Sequence, residues 1–582
     1  MSRFSEHLNQ PEGRHLRDSL VLLILFGFLF LYGLGSAPLI DPDEGRYAEI
    51  PREMLEQGDF ITPTLNYVKY FYKPPLLYWV NAGSMAVFGQ NEFAARLPSA
   101  LSGLLTVLLT YLAGRQLLNR RTALVGALIL GSCAAFLLQS RIILTDMLLT
   151  LCLSGALFSF LLAVRSTAPH TAKLLFRLFF ICCGLAVLTK GLIGIVLPGG
   201  IIFWYLLLSG RWSIMGTIPW FSGLTLFSLV TVPWFVLVSQ ANPEFPHFFF
   251  IQEHFQRYTS TIHKRSQPFW FFVPILWLTM LPWSFFLPGS LTRAWRERQE
   301  QRGTLLFLFL WPVVIILFFS LSSSKLIPYI LPIFPPLALL VAHRLSGLWH
   351  LRKPDYRTAQ LLLAAVLLLL GIALAVLPLL EWLPPLLHKS GRTGRDLATM
   401  LTGPDPLLTL RQTIVPGGLL AFFGMLLLLT VKTRSNLLLI GILCCFGILL
   451  DLLLPWGFAR YGAEQLSARP LAYAALQHAG PEIMLAQSAP RQGMNFYTGK
   501  RLVTVGDADE LTFGSTQGNH TDWFFTREQF QALWRSDRKI MLVIPRHEQN
   551  IYDPVLPGVT AQLLADNGSL LLLANHPLPS KE

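Results

Sequence analysis

The chain has 582 residues, 53% of them hydrophobic and only 14% charged, with a mean hydropathy of +0.50 and a formal net charge of +13. This composition excludes an ordinary soluble globular protein. The sequence pI of 9.6 does not point to nucleic acid, because the basic residues mostly flank apolar runs and so carry topology instead.

The first apolar run, "DSLVLLILFGFLFLYGLGSAP", follows Arg14 and Arg17 and is too long for a signal-peptide core, so it reads as a retained signal anchor. The connection 38–92 comes next and opens with "PLIDPDEGRYAEIPREMLEQGDF", the densest acidic stretch of a basic protein. It predicts an amphipathic helix on the membrane surface. Asp41 is its N-cap, Pro42 its first residue, Glu44 closes a capping box and Gly58 ends it. Glu49, Glu53 and Glu56 then form a solvated face. Asp43 falls one turn from Tyr47 with Arg46 on the same face, and a carboxylate beside a guanidinium and a phenol is a candidate site. The same connection continues "NYVKYFYKPPLLYW", where Lys69 and Lys73 are interleaved with Tyr67, Tyr70, Tyr72 and Tyr78. Pro74–Pro75 set an extended entry into a second surface helix.

About thirteen spans follow from hydropathy, near 19–37, 93–113, 122–139, 142–164, 174–190, 191–209, 214–239, 268–290, 304–321, 326–344, 359–380, 413–431 and 436–456. All six cysteines lie within them, which leaves neither a disulfide framework nor a cysteine zinc site. Alternate connections carry the bases, among them Arg115/Arg120/Arg121, Arg165/Lys173, Arg293/Arg296/Arg298 and Lys432/Arg434. The positive-inside rule makes those connections cytoplasmic, with the amino terminus inside. The long connections 38–92, 240–267 and 381–412 and the tail then fall outside.

The ionisable residues near span ends collect on that outer side. Asp146 in "LTDMLLT" lies about a turn and a half inside a span, where an acid is costly and points to function, with pairing to Arg141 as the structural alternative. Lys190, Lys325 and Arg460 lie at span ends, and "EHFQRY" adds Glu253, His254 and Arg257. A lone histidine such as His254 is more often a hydrogen-bonded surface residue than a ligand. From Trp456 the composition changes. "EIMLAQSA", "RLVTVGD", "KIMLVIP" and "SLLLLAN" read as short buried strands with helix-like segments between them, which predicts a small α/β domain at 457–582 beside a membrane domain at 1–456.

"DEGRYAEIPREML", "YKPPLLYW", "LTDMLLT" and "KLIPYILP", in this order and membrane context, resemble the polytopic GT-C glycosyltransferases, in particular the lipid A aminoarabinose transferases and, more distantly, the protein O-mannosyltransferases. The likeness spans residues 18 to about 345. It implies a polyprenyl-phosphate-linked sugar as donor, undecaprenyl phosphate in a bacterium, and lipid A or another envelope acceptor. Transfer would occur at the periplasmic face of the inner membrane. It also implies that Asp43 is the catalytic carboxylate, with Asp146 the acid of the fourth span. Arg46, Tyr47, Tyr70, Lys73, Lys190, Lys325, Tyr329 and Arg460 would serve the donor and its phosphate. One departure matters. The family usually has Glu before the lysine of Lys73, and links that Glu and a histidine matching His254 to a bound metal, whereas Tyr72 stands here. The metal site thereby loses a hard oxygen ligand, so no cofactor is assumed. Two rival readings are the same chemistry on a protein hydroxyl or other envelope glycan, and a transporter or flippase. A transporter predicts midplane polar groups and repeated halves, neither of which this sequence has.

Overall fold

The computed structural model describes residues 11–256, 267–347, 356–376, 414–478 and 480–578, apart from 434, 462, 481 and 549–560. The third outer connection, 381–412, lies outside them. All thirteen apolar segments fall on helices. Among the described residues eight helices are long and apolar enough to cross a bilayer, and ten if two bent pairs count as one span each. Ile193–Ser209 and Leu437–Leu450 are shorter apolar helices.

Three spans depart from the expected form. The first helix, Pro11–Leu31, stops short of residue 37 and passes into turns. The span at 122–139 is two helices, Arg120–Gly131 and Ala134–Ser140, bent by 67°. At that break Trp283 Nε1 donates to Ser132 Oγ at 3.1 Å, so a neighbouring segment fills the corner. The span at 268–290 is likewise two helices bent by 114°, and the break contains Pro282, which has no N–H to continue a helix.

The two ends of the bundle differ chemically. At one end Asp146 opens the helix Thr145–Arg165, Lys190 closes Pro169–Lys190, and Lys325 follows the end of Thr304–Leu321. At the other end Arg165 donates to Leu117 O and to Thr304 Oγ1 at 2.8 Å. Arg120 makes a two-point pair with Asp18 there, with both bonds 2.7 Å, and Arg293 and His343 share Glu297. Arg120, Arg165 and Arg293, three of the bases assigned to alternate connections, thus lie at the end opposite Asp146.

The first helix of the 38–92 connection is not an exposed amphipathic helix. This helix, Asp43–Gln57, is buried at every residue from Glu44 to Met54. The strands β1 (Thr64–Leu65) and β2 (Val68–Lys69) pair through a two-residue turn at Asn66 and Tyr67, both with positive φ, the backbone of a tight hairpin. The tail then packs onto both. It is a six-stranded sheet built from β3 (Met484–Gln487), β4 (Val503–Val505), β5 (Phe524–Phe525), β6 (Ile540–Pro545), β7 (Gln562–Asp566) and β8 (Leu570–Ala574). Their order is β5-β4-β3-β6-β8-β7, parallel from β5 to β6 and antiparallel beyond. The central β6 is buried at every position, which explains its unbroken apolar run.

Candidate active site

The predicted helix start is only partly borne out. Gly58 closes the helix with φ 70°, but Pro42 occupies the cap position and no side chain caps the end. Asp41 is instead taken by the tail. Its carboxylate accepts from Gly493 N at 2.8 Å and Ala468 N at 3.0 Å. Burial pushes this carboxyl up to about 6, against the pull of those two N–H donors. Glu44 accepts from Ile40 N at 3.0 Å, one residue ahead of the Asp41 N–H that the predicted capping box would use and that goes to Leu466 O instead. It is also clamped by Arg96 through two bonds of 2.8 and 2.7 Å and accepts from Ile143 N.

The solvated acidic face is a second correction. Glu49 and Glu53 are completely buried and only Glu56 is exposed. Arg52 donates to both oxygens of Glu49 at 2.7 Å, while Glu53 accepts from Thr64 Oγ1 at 2.6 Å and from Tyr67 N. Desolvation raises the pKa of both buried carboxyls. Helical spacing showed these acids on one face, but the hairpin covers that face.

Asp43 stays open, with 56% of its side chain exposed. Arg46 reaches it with one terminal nitrogen and reaches Glu510 of the tail with the other. Tyr70 OH donates to the same Glu510 carboxylate at 3.0 Å. The Arg46 guanidinium also lies 5.2 Å from the Tyr47 ring centre, and Tyr47 stacks on Tyr78 at 6.1 Å. Burial works against the Arg46 charge, but Tyr70, Tyr47 and Asp43 outweigh it and hold the pKa above its ordinary range. Burial also drives the Tyr47 phenol well above its usual value. Arg46 opposes that shift, and the negative charges of Asp43 and Asp146 add to it.

That electrostatic coupling joins a second group. Asp146 lies in the first turn of its helix, shallower than expected, and pairs with Lys190 at 2.5 Å with both side chains buried. Arg141 is not its partner; it donates to Leu29 O and Tyr32 O, both at 2.8 Å. The Lys190 ammonium stands 4.5 Å from the centre of the Tyr329 ring, a cation–π arrangement. Asp43, Arg46, Tyr47 and Tyr70 thus gather with Glu510, and Asp146, Lys190 and Tyr329 form a second group, with Tyr47 within electrostatic reach of Asp146.

The remaining candidates are placed around these groups. Lys73 is half-buried at the entry to the helix Leu76–Phe88 and donates to Tyr72 O at 2.9 Å. Lys325 donates to Ser322 O at 2.6 Å and Gln267 O at 2.9 Å, and burial lowers its pKa. Glu253 is buried in the helix His247–Gln256. The side chains of His254 and Arg460, and the whole of Arg257, lie outside the described residues.

At Tyr72 the suggested metal would find no carboxylate, and its other suggested ligand, the side chain of His254, lies outside the described residues. Tyr72 packs on Tyr70 in a tilted pair at 4.8 Å and meets Phe248 edge-on at 5.2 Å, so an aromatic wall stands where a carboxylate would be needed. Among the described residues no group of three or more His, Cys, Asp or Glu side chains could hold a metal ion.

Sequence reasoning missed Glu510 and the true role of Asp41. Glu510 lies more than 400 residues from Arg46, in "VGDADEL", and its only signal was a short acidic run in the tail of a basic protein. Phe513, three residues on, packs on Phe248 in a tilted pair at 4.0 Å, so this part of the tail reaches both the 38–92 and the 240–267 connections.

A family described as dolichyl-phosphate-mannose-protein mannosyltransferase matches residues 18–249, and the aminoarabinose transferase C-terminal domain matches residues 472–565. A relative in Erwinia tasmaniensis, described as an undecaprenyl phosphate-alpha-4-amino-4-deoxy-L-arabinose arabinosyl transferase, is 38% identical over 57% of this chain. The match spans 60% of that relative's length. A relative of the same description in Edwardsiella ictaluri is 30% identical over 96% of this chain and 98% of its own. The crystal structure of ArnT from Cupriavidus metallidurans bound to undecaprenyl phosphate superposes with a TM-score of 0.81 at 29% identity, covering 96% of this chain and 98% of that one.

Proposed function

Because this chain belongs to the family of undecaprenyl-phosphate aminoarabinose arabinosyl transferases, we propose that it moves 4-amino-4-deoxy-L-arabinose, or a related sugar, from undecaprenyl phosphate to a lipid A phosphate. The observation that carries this reading is the open Asp43 carboxylate held by an Arg46 that also binds Glu510 of the tail, with neighbouring Tyr47 in electrostatic reach of the buried Asp146–Lys190 pair at one end of the helix bundle. With the amino terminus cytoplasmic, as the basic connections require, that end and the tail domain at 457–582 face the periplasm of the bacterial inner membrane. The membrane domain is residues 1–456.

Breaking a glycosyl phosphate builds positive charge on the sugar and negative charge on the departing phosphate. Open Asp43, fixed by Arg46, faces the first and steadies it or orients the acceptor. Arg46 holds two carboxylates, so its part is to position Asp43 and Glu510, and the departing phosphate falls to Lys73 at the membrane boundary. Lys190, neutralised by Asp146, adds a buried dipole against the Tyr329 ring. A lipid A phosphate, with a second pKa near ~6, is already ionised at neutral pH and needs no general base. No step is assigned to a metal.

The test is mass spectrometry of lipid A from cells carrying the wild type, Asp43→Asn or Lys73→Ala. The wild type adds a pentosamine increment to a phosphate, and each variant, though folded and inserted, loses it at least ~100-fold. Unmodified lipid A with an altered glycoprotein or polysaccharide would transfer the chemistry to a hydroxyl acceptor, with Asp43 as general base.

A further inference from the structure

We propose that Asp41 is a positioning residue through which the tail domain sets the pose of the catalytic helix, and so of Asp43. This rests on the reading of Asp43 as the catalytic carboxylate. Asp41 stands two residues before Asp43, and three of its bonds go to the tail: its carboxylate to Gly493 N and Ala468 N, and its own N–H to Leu466 O at 3.0 Å. The seat is shaped for that carboxylate. A Cβ added to Gly493 would run into the Asp41 carboxylate, and one added to Gly45 would run into both Asp41 and the Gly493 backbone. The opposite side of the same helix start is gripped by the membrane domain, since Glu44 is clamped by Arg96 and accepts from Ile143 N. Asp43 lies between these two grips, and its partner Arg46 ends on a third tail contact, Glu510. The tail is therefore half of the mount that orients the reacting carboxylate, and misplacement of such a group by about 1 Å costs about 10²-fold in rate.

Docking elsewhere provides the control. Arg469 ties the tail to Glu92 at 3.1 Å, at the start of the helix Glu92–Leu117, without touching the helix that carries Asp43. The experiment measures turnover by purified full-length protein, normalised to the number of sites that bind undecaprenyl phosphate, so that misfolded molecules are not counted. Asp41→Ala and Gly493→Ala are expected to lose about 10- to 100-fold in turnover per site. Asp41→Asn, which keeps one acceptor oxygen, falls between them and the wild type, and Arg469→Ala stays within about 3-fold. Near-normal turnover per site in Asp41→Ala overturns the proposal, as does an equal loss in all four variants, which would mean that only the strength of docking matters. Asp43→Asn run in parallel separates the two readings: if it keeps turnover, the catalytic assignment has failed and not the mount.

Discussion

Glu44 and Arg96 offer the most quantitative test of how the site is held. Both are buried and joined by two short bonds, and removing one partner of such a pair strands a charge at a cost of about 3–5 kcal/mol. Each also serves the backbone. Glu44 accepts from Ile40 N and Ile143 N, and Arg96 donates to Leu34 O, Ala37 O and Pro38 O. At about 1 kcal/mol for each orphaned group, Glu44→Ala totals about 5–7 kcal/mol and Arg96→Ala about 6–8 kcal/mol. Losses of that size match the whole stability of many proteins. In the double variant neither charge is stranded, so both stranding costs drop out and it should cost less than the sum of the single changes by about 6–10 kcal/mol. Glu44→Gln and Arg96→Lys give a milder cycle in which every member accumulates. Size exclusion after a temperature ramp in detergent reads the folded fraction of each. Additivity of the two losses to within about 0.5 kcal/mol would refute the claim that this pair is a coupled clamp.

Two further predictions concern charge. Lys190→Met strands Asp146 in a buried site and should abolish transfer, and Asp146→Asn added to it should recover folded protein but not activity; recovered activity would remove the pair from the chemistry. The pH dependence follows from Asp41, whose folded pKa of about 6 lies above the ordinary 3.8. Its contribution to tail docking is full below about 4 and is lost as pH rises through about 6. Melting of the purified protein should therefore show a stabilising component on acidification from pH 7.5 to 5 that Asp41→Asn lacks; identical pH profiles for the two proteins would count against it.

What the sequence made legible was what hydropathy and short motifs encode. The apolar segments fall on helices because twenty apolar residues have few alternatives in a bilayer. Asp43, Arg46 and Tyr47 were legible because one helical turn brings them together. Partner choice was not. Asp146 turned from nearby Arg141 to Lys190, on the next helix, because a carboxylate at a helix start meets the lysine at its neighbour's end. Glu49 and Glu53 looked solvated because spacing describes only their own helix and is silent about the hairpin packed over it. Asp41 has every local mark of an N-cap, yet two tail N–H groups outcompete the helix for its oxygens.

The bond between Asp41 and Gly493 spans 452 positions. At about 5–20 residues per second, a ribosome needs roughly 20–90 s to travel that distance. Throughout that interval the nascent chain already owns its first membrane segments and Asp43, but not the part that seats them. On the proposal that Asp43 is the reacting carboxylate, competence waits until the final stretch has been made, and a prematurely terminated product, however well inserted, would sit in the lipid as an inert species.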